Sequence, residues 1–208
     1  MLVLLTIVAA ALAWKYNQRN RIIFATKSIE KMGGQVLYHR ENPTAAMKWM
    51  TVTCHRRLRE TRTRTLLDGT VENYDVFHIA RSYTANVQVK SIESAGGANE
   101  EDGILNILGN RDILVDAAKI HESRVDADFV EHIQKLDGLR VVQVCRDIEY
   151  FRMKATDPEG FSITPEQKEE KLSELDKPFE NAKSLIHNSL PEVDVIDGYL
   201  FSLPGNGG

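Results

Sequence analysis

Residues 125–144, VDADFVEHIQKLDGLRVVQV, change the spacing of their apolar positions partway through. From 125 to 136 the apolar residues recur every three or four positions, which is typical of a helix with one buried face. Asp126 is a candidate N-cap, and Asp137-Gly138 ends this pattern. The apolar positions that follow approach the two-residue alternation of a strand: Leu139, Val142 and Val144. The segment therefore predicts a helix followed at once by a strand.

The strand part of this pattern recurs along the chain. The same spacing stands 24 residues earlier at Val115, Ala118 and Ile120, and weaker copies lie at 84–89 and 190–195. A helix-plus-strand unit with a period of about 20–29 residues is typical of leucine-rich repeats, whose units stack their strands in parallel. We therefore predict a small leucine-rich-repeat-like α/β domain of parallel strands near 87, 118, 142 and 193, connected by crossover helices. A non-repetitive α/β or α+β domain is the alternative.

The first 14 residues, MLVLLTIVAAALAW, carry no charge. A helix of that length covers about 21 Å, and a bilayer core is about 30 Å thick, but uncharged and aromatic residues continue the run. We predict a single-pass transmembrane helix over residues 1–21. Basic residues follow the run and none precedes it, which predicts a cell-membrane protein with the bulk of the chain in the cytoplasm. A cleaved signal peptide, suggested by Ala11-Leu12-Ala13, and a buried soluble helix are the alternatives.

The helix is predicted to continue beyond residue 21. Ile22, Ala25, Ile29 and Met32 form one apolar stripe, and Gly33-Gly34 is a typical helix end. Residues 35–39, QVLYH, then alternate as a short strand does.

Residues 44–64, TAAMKWMTVTCHRRLRETRTR, hold six basic residues and one acidic residue. The spacing of Met47, Met50, Cys54 and Leu58 predicts a basic helix. Because this segment follows the predicted anchor, contact with anionic lipid at about 1 kcal/mol per basic residue is one hypothesis. A solvated helix face is the alternative, and no nucleic-acid partner is predicted because the typical recognition motifs are lacking. The candidate lipid-contact residues are Lys15, Arg19, Arg21, Arg56, Arg57 and Arg59.

Charge is distributed unevenly along the 208 residues, whose net charge is −4. Residues 1–64 hold 12 Lys/Arg and 3 Asp/Glu, whereas residues 65–208 hold 14 and 27. Such an asymmetry is typical of proteins that contact a membrane or a polyanion. The two cysteines, Cys54 and Cys145, form no CxxC pair, so a disulfide-rich scaffold and a structural zinc site are excluded and free thiols are predicted.

Three pieces of the chain resemble short bacterial leucine-rich-repeat proteins with one N-terminal membrane anchor. These pieces are LVLLTIVAAALAWKYNQRNR followed by SIEKMGGQVLYH, then RVDADFVEHIQKLDGLRVVQV, and finally SLIHNSLPEVDVI. The resemblance implies a binding or scaffolding module and implies no catalytic residues. The chain departs from that pattern in having few repeats and a basic insertion at 44–64.

Candidate chemistry is sparse in the sequence. None of the six histidines forms an HExxH motif, and neither a nucleophile elbow nor a phosphate-binding glycine motif occurs. His121-Glu122 is suited to orienting a general base, but no nucleophile is tied to it in the sequence. A metal site is an alternative to a charged helix start for the cluster Asp126, Asp128, Glu131 and His132. No catalytic residue, cofactor or metal is therefore predicted.

The C-terminal part predicts one further helix and a strand. Thr164-Pro165-Glu166-Gln167 is a good helix start, Pro178 is expected to kink or end that helix, and a second helical run follows from 179 to 190. The domains predicted are 1–21, an anchor; 22–83, a juxtamembrane basic region; 84–203, the α/β domain; and 204–208, a disordered tail.

The function predicted is a membrane-anchored protein-interaction module without catalytic activity, with a protein partner. The alternatives are a peripheral module that binds anionic lipid, and an enzyme with an unrecognised site in the loops 94–103 or 151–163.

Overall fold

The computed structural model of this chain describes residues 2–65, 70–95, 114–156 and 163–199. Two units are formed by the described parts of the chain. The first unit comprises Met1–Lys48, Val89–Asp147 and Lys177–Gly208, and the second comprises Trp49–Gln88 and Ile148–Asp176.

Helices and strands alternate along much of the chain. The helices are α1 (Leu2–Lys31), α2 (Ala127–Ile133), α3 (Ile148–Ala155) and α4 (Pro165–Ser189). The strands are β1 (Gln35–Tyr38), β2 (Pro43–Thr65), β3 (Val71–Ser94), β4 (Val115–His121), β5 (Val141–Cys145) and β6 (Asp194–Gly198). Short 3₁₀ helices cover His39–Glu41 and Glu122–Arg124.

A four-stranded mixed sheet lies at the centre of the first unit, in the order β1-β4-β5-β6. β4 and β5 are parallel with Ala118 opposite Val142, and β5 and β6 are parallel with Val142 opposite Val195. β1 runs antiparallel to β4, with Val36 opposite Ala118. The helix-to-strand switch at residues 125–144 is thus the α2–β5 segment.

The leucine-rich-repeat-like fold predicted from the sequence is wrong. The segment near residue 87 lies in β3, which pairs with β2 in a separate two-stranded sheet, and the four-stranded sheet is mixed because of β1. The physical reason is that three apolar positions at strand spacing describe any strand with one buried face. They do not determine which strands pair, or in which direction.

Helix α1 divides into an exposed and a buried half. Its first half exposes Ile7, Val8, Leu12, Trp14 and Tyr16, and its second half buries Ile22, Ala25 and Ile29. The predicted continuation of the helix and the glycine end are confirmed, since α1 ends at Lys31 and Gly33 follows with a φ of 81°.

Among the residues that the structure describes, no helix combines the length and the apolar character needed to cross a bilayer. The predicted transmembrane helix at residues 1–21, the single-pass membrane localisation and the membrane as a partner are therefore wrong. The apolar run is too short because polar and basic residues, from Lys15 to Arg21, follow it directly. The next turns of α1 pack into the protein core instead.

The basic segment 44–64 is a strand, β2, and the predicted helix there is wrong. Its apolar residues permit helical spacing, but β-branched residues are concentrated in it, and these favour strands. The β-branched residues are Thr44, Thr51, Val52, Thr53, Thr61 and Thr63.

The main hydrophobic core lies on one face of the four-stranded sheet. Three helices of the first unit cover that face: α1, α2 and the C-terminal part of α4. Phe129 of α2 is fully buried among them. The sheet contributes Val115, Ala118, Ile120, Val142 and Val144.

The opposite face of this sheet receives the end of β3. Ile92 packs there with Leu37 and Ala117. The fully buried Gln143 accepts a hydrogen bond from the Ile92 N–H through Oε1 (3.0 Å) and donates one to the Lys90 carbonyl through Nε2 (2.8 Å). A Cβ added at Gly198 would lie 1.7 Å from that Nε2, so glycine is required for the amide to fit.

Helix α4 starts at the predicted capping box. The Gln167 N–H donates to Thr164 Oγ1 (3.2 Å), and the Thr164 N–H donates to Gln167 Oε1 (2.9 Å). Pro178 lies inside the helix, which continues to Ser189. Burial of Phe179, Ala182 and Ile186 stabilises the turns that follow the proline.

Helix α2 starts at a cap that gives a testable stability effect. Asp126 accepts a hydrogen bond from the Phe129 N–H at 2.8 Å, which confirms the predicted N-cap. We expect Asp126→Ala to lower the free energy of unfolding by about 1 kcal/mol, because the N–H loses its acceptor. Urea denaturation measures this loss. Asp126→Asn retains an acceptor and should cost much less, and equal losses in the two variants would contradict a capping role.

Candidate functional site

The candidate lipid-contact residues are divided between two elements. Lys15, Arg19 and Arg21 are exposed on α1, where Lys15 and Arg19 are one turn apart and Arg21 projects to another side. Arg56, Arg57 and Arg59 are positions of β2, and their side chains lie outside those that the structure describes. The two groups belong to different units.

The second unit contains a two-stranded ribbon, formed by residues 49–65 of β2 and 71–88 of β3. Its parent strands have 23 and 24 residues, whereas strands in globular proteins usually have about 3–10. Side-chain hydrogen bonds cross between the strands at Thr51–Asn86 (2.9 Å), Thr53–Thr84 (3.5 Å) and His55–Ser82 (2.9 Å). The partner number falls as the number on β2 rises, so the strands are antiparallel.

The register of the ribbon changes between its two halves. Nearer the end of β2 and the start of β3, Thr61 donates to Asp75 and Arg64 donates to Glu72. From His55 to Thr61, β2 advances six residues, while β3 moves seven from Ser82 to Asp75. The additional residue indicates a β-bulge in β3 between 75 and 82. β2 has no extra residue relative to β3 over this stretch, so the interruption is assigned to β3.

Charged groups of the ribbon are interleaved. Arg62 forms two hydrogen bonds of 3.2 Å with the Glu60 carboxylate, and Arg64 lies 2.7 Å from Glu72. The Arg64 guanidinium also lies 5.6 Å from the ring centroid of Tyr74. These arginines therefore have acidic neighbours within the ribbon and do not form an uninterrupted basic patch.

Both long edges of the ribbon lack a neighbouring strand. In the part of the chain that the structure describes, β2 and β3 pair only with each other. An edge strand presents backbone N–H and C=O groups that can pair with an added strand.

The first residues of β2 within the ribbon are packed. Met50 and Val52 are buried, and Cys54 is half-buried. Burial raises the pKa of the Cys54 thiol, and the nearby Glu149 carboxylate acts in the same direction.

A second polar cluster lies at the carboxyl ends of β4 and β5. His121 Nδ1 lies 2.9 Å from Ser123 Oγ and accepts a hydrogen bond from the Ser123 N–H, so the histidine caps the following 3₁₀ turn. Glu122 accepts from the Asp147 N–H at 3.1 Å. The sequence indicated His121-Glu122 but not the proximity of Ser123. Because His121 Nδ1 already accepts a hydrogen bond from the Ser123 N–H, we assign this histidine a structural role as the cap of the 3₁₀ turn.

Glu122 is buried, and its Oε2 has no hydrogen-bond partner among the described residues. Burial raises the pKa of this carboxyl, and the Asp147 N–H, His121 and Arg146 oppose the shift only in part. The folded state therefore binds this proton more tightly than the unfolded state does. Its contribution to stability is present at acid pH and is lost as the pH rises through the raised pKa.

We expect Glu122→Gln to gain stability relative to the original protein between about pH 4 and about pH 7, because glutamine cannot ionise. Urea denaturation at the two pH values measures the change. Glu131→Gln is the matched control, since the bond from Lys135 lowers the pKa of the exposed Glu131 and the sign should reverse. Equal slopes for the two variants would contradict the assignment.

A third cluster, missed in the sequence, lies at the other end of the sheet. The nearly buried Asp116 carboxylate accepts a hydrogen bond from Arg140 at 2.7 Å and lies 2.9 Å from His39 Nδ1. The three residues are far apart in sequence, and only the antiparallel addition of β1 and the parallel pairing of β4 with β5 bring them together. The exposed His39 and Arg140 both use Asp116, which makes this an ion cluster that joins neighbouring strands.

The remaining sequence candidates are structural in the places where they are described. Asp126 caps α2, Glu131 forms an ion pair with Lys135 at 2.6 Å, and His132 packs edge-on against Phe24. Within the described ranges, no three His, Cys, Asp or Glu residues are grouped so as to hold a metal ion. Of the loop candidates 94–103 and 151–163, residues 96–103 and 157–162 lie outside the described residues.

Cys54 and Cys145 are both present as thiols, as predicted. Burial raises the pKa of the Cys145 thiol to about 12, so this thiol stays protonated at neutral pH. A protonated, buried thiol is a poor nucleophile and a poor metal ligand.

Comparisons with known proteins add no relative to this geometry. The resemblance to bacterial leucine-rich-repeat proteins therefore stays a prediction with respect to ancestry, while the fold it implies is corrected above. Models of protein families, characterised proteins and solved structures all gave no significant match to this chain.

Proposed function

We propose that this chain is a protein-binding module without catalytic activity, and that the ribbon is its recognition element. The observation that carries the proposal is the pair of long strand edges that have no neighbouring strand in the described structure. Addition of an extended segment to such an edge is a common mode of protein recognition, because backbone hydrogen bonds supply affinity and alternate side chains supply specificity.

The strand edges of the ribbon favour a protein partner over a phosphate surface. Across residues 49–88 the sequence has six Arg and four Asp/Glu. Glu60 and Glu72 also occupy the guanidinium groups of Arg62 and Arg64. A lipid surface or a nucleic acid has no polypeptide backbone that could pair with these edges, whereas an extended protein segment has one. Polypeptide segments can match an interleaved pattern of charges.

The test is site-specific photo-crosslinking in cells that produce the full-length protein. A photoreactive amino acid replaces the exposed Thr63 of β2, and in a matched control it replaces the exposed Lys183 of α4. We expect a discrete protein adduct from position 63 and none of that mass from position 183. Adducts to lipid or nucleic acid at position 63, the same adduct from both positions, or no protein adduct at position 63 would contradict the proposal.

A further inference from the structure

We infer that the partner presents an extended acidic segment, which adds as a third strand to the outer edge of β2. This inference rests on the proposed function and names the edge and the chemistry of the partner. The probe that represents such a segment is a 12-residue peptide that alternates glutamate with valine, (Glu-Val)6.

The two strands of the ribbon differ in whether their outer edge can pair with an added strand. The bulge between Asp75 and Ser82 adds a residue to β3 and interrupts the ladder that an added strand would need there. Natural proteins use such bulges to prevent pairing at a strand edge. Between Thr51 and Arg64, β2 contributes one residue fewer than the facing part of β3, so the extra residue does not lie on β2.

The charge of β2 is complementary to that of an acidic strand, whereas the charge of β3 is not. Residues 49–65 of β2 contain five Arg and one Glu, whereas residues 71–88 of β3 contain one Arg, one Asp and one Glu. Opposite charges on neighbouring strands stabilise pairing by about 0.2–1 kcal/mol per pair, and like charges destabilise it. A strand added beside β2 is therefore selected for carboxylates, and one added beside β3 is not.

A second copy of the chain is disfavoured as the source of the strand that adds to β2. Two β2 edges paired with each other would place arginine-rich strands side by side. Like charges that face each other across two strands disfavour this arrangement. The pairing of one β2 with the β3 of another copy would use the interrupted edge.

The arginines that already have partners can take part in the addition. Arg62 and Arg64 use part of their hydrogen-bonding capacity on Glu60 and Glu72. A guanidinium group has five N–H donors, so a further carboxylate can be bound without loss of the existing pair. Positions 56, 57 and 59 add three more positive charges to the same strand.

The experiment measures binding of fluorescent peptides to the full-length protein by anisotropy. We expect (Glu-Val)6 to bind at least about tenfold more tightly than (Lys-Val)6, and binding to weaken as salt is raised. The peptide (Glu-Pro)6 carries the same charge but lacks every second N–H, so it should bind at least about tenfold more weakly. Equal binding of (Glu-Val)6 and (Glu-Pro)6 would show charge attraction without strand addition and would overturn the inference.

Two variants locate the peptide on the ribbon. The double variant Arg57→Glu, Arg59→Glu should weaken (Glu-Val)6 binding at least about tenfold, while Arg81→Glu on β3 should change it less than about twofold. The peptide comparison uses the original protein and stays decisive if a variant misfolds. Equal losses in the two variants, preference for a DNA duplex or for phosphatidylserine vesicles, or self-association through the ribbon would overturn the inference.

The two proposals fail in different ways. A protein adduct at position 63 together with no preference for (Glu-Val)6 would refute the acidic strand and leave the protein-binding function standing. Absence of that adduct together with selective peptide binding would refute the function and leave a strand-binding edge without a cellular protein partner.

Discussion

Phe129→Ala is expected to lower the free energy of unfolding by about 3–5 kcal/mol, because a fully buried phenylalanine is replaced by a small side chain and a cavity. Phe129 lies on α2 and packs into the core that α1, α4 and the sheet share. Such a loss is a large part of the total stability of an ordinary domain, about 5–15 kcal/mol. Urea denaturation followed by far-ultraviolet circular dichroism measures it.

Phe24→Ala is the matched control for Phe129. The Phe24 side chain is 62% exposed on α1, although it contacts the His132 ring. Its removal should cost about 1 kcal/mol or less, because little apolar area leaves the core. A cost for Phe24→Ala equal to that for Phe129→Ala would contradict the core described for the first unit.

Gln143→Leu is expected to lower the free energy of unfolding by about 2–5 kcal/mol. The substitution removes the hydrogen-bond partners of the buried Ile92 N–H and Lys90 carbonyl, and each unsatisfied group costs about 1–3 kcal/mol. Because leucine is apolar and of similar size, the loss is not due to a missing side-chain volume. Amide hydrogen exchange at Ile92 should accelerate together with the loss of stability.

Gln134→Leu is the control for this second substitution, since Gln134 is exposed at the end of α2. It should change the free energy of unfolding by less than about 0.5 kcal/mol. If Gln143→Leu were equally mild and left the exchange rate of Ile92 unchanged, the side-chain amide would not hold the end of β3 to the sheet.

Local patterns in the sequence determined several elements correctly. The switch of period at residues 125–144, the cap at Asp126, the glycine end of α1 and the capping box at Thr164 depend on residues within a few positions of each other. Such short-range signals act through the backbone of one turn, and they are readable without knowledge of the tertiary structure.

Pairing of strands was not determined by the same patterns. β4 and β5 lie parallel with an offset of 24 residues, which matches the repeated spacing, but β1 and the β2–β3 sheet changed the topology. The basic segment 44–64 fitted a helix by the spacing of its apolar residues, although its threonines favoured a strand. Tertiary pairing decides such a segment, because propensity differences are small for each residue.

The ion cluster of His39, Asp116 and Arg140 could not be inferred because its members are far apart in sequence and are brought together only by strand pairing. The same reason applies to Gln143, which has the appearance of an ordinary strand residue until β3 is placed beside it. The ribbon is formed by two long strands. The side-chain hydrogen bonds between them could not be predicted without the register of both strands. Only the excess of basic residues on β2 was visible in advance.

Hydrogen–deuterium exchange of the full-length protein, with and without saturating (Glu-Val)6, tests the proposed recognition edge most directly. We expect slower exchange of amides within residues 49–65 of β2, because their outward-facing N–H groups gain acceptors, and little change within residues 71–88 of β3. Unchanged exchange in β2 at saturation, or protection confined to β3 or to the four-stranded sheet, would contradict binding at this edge.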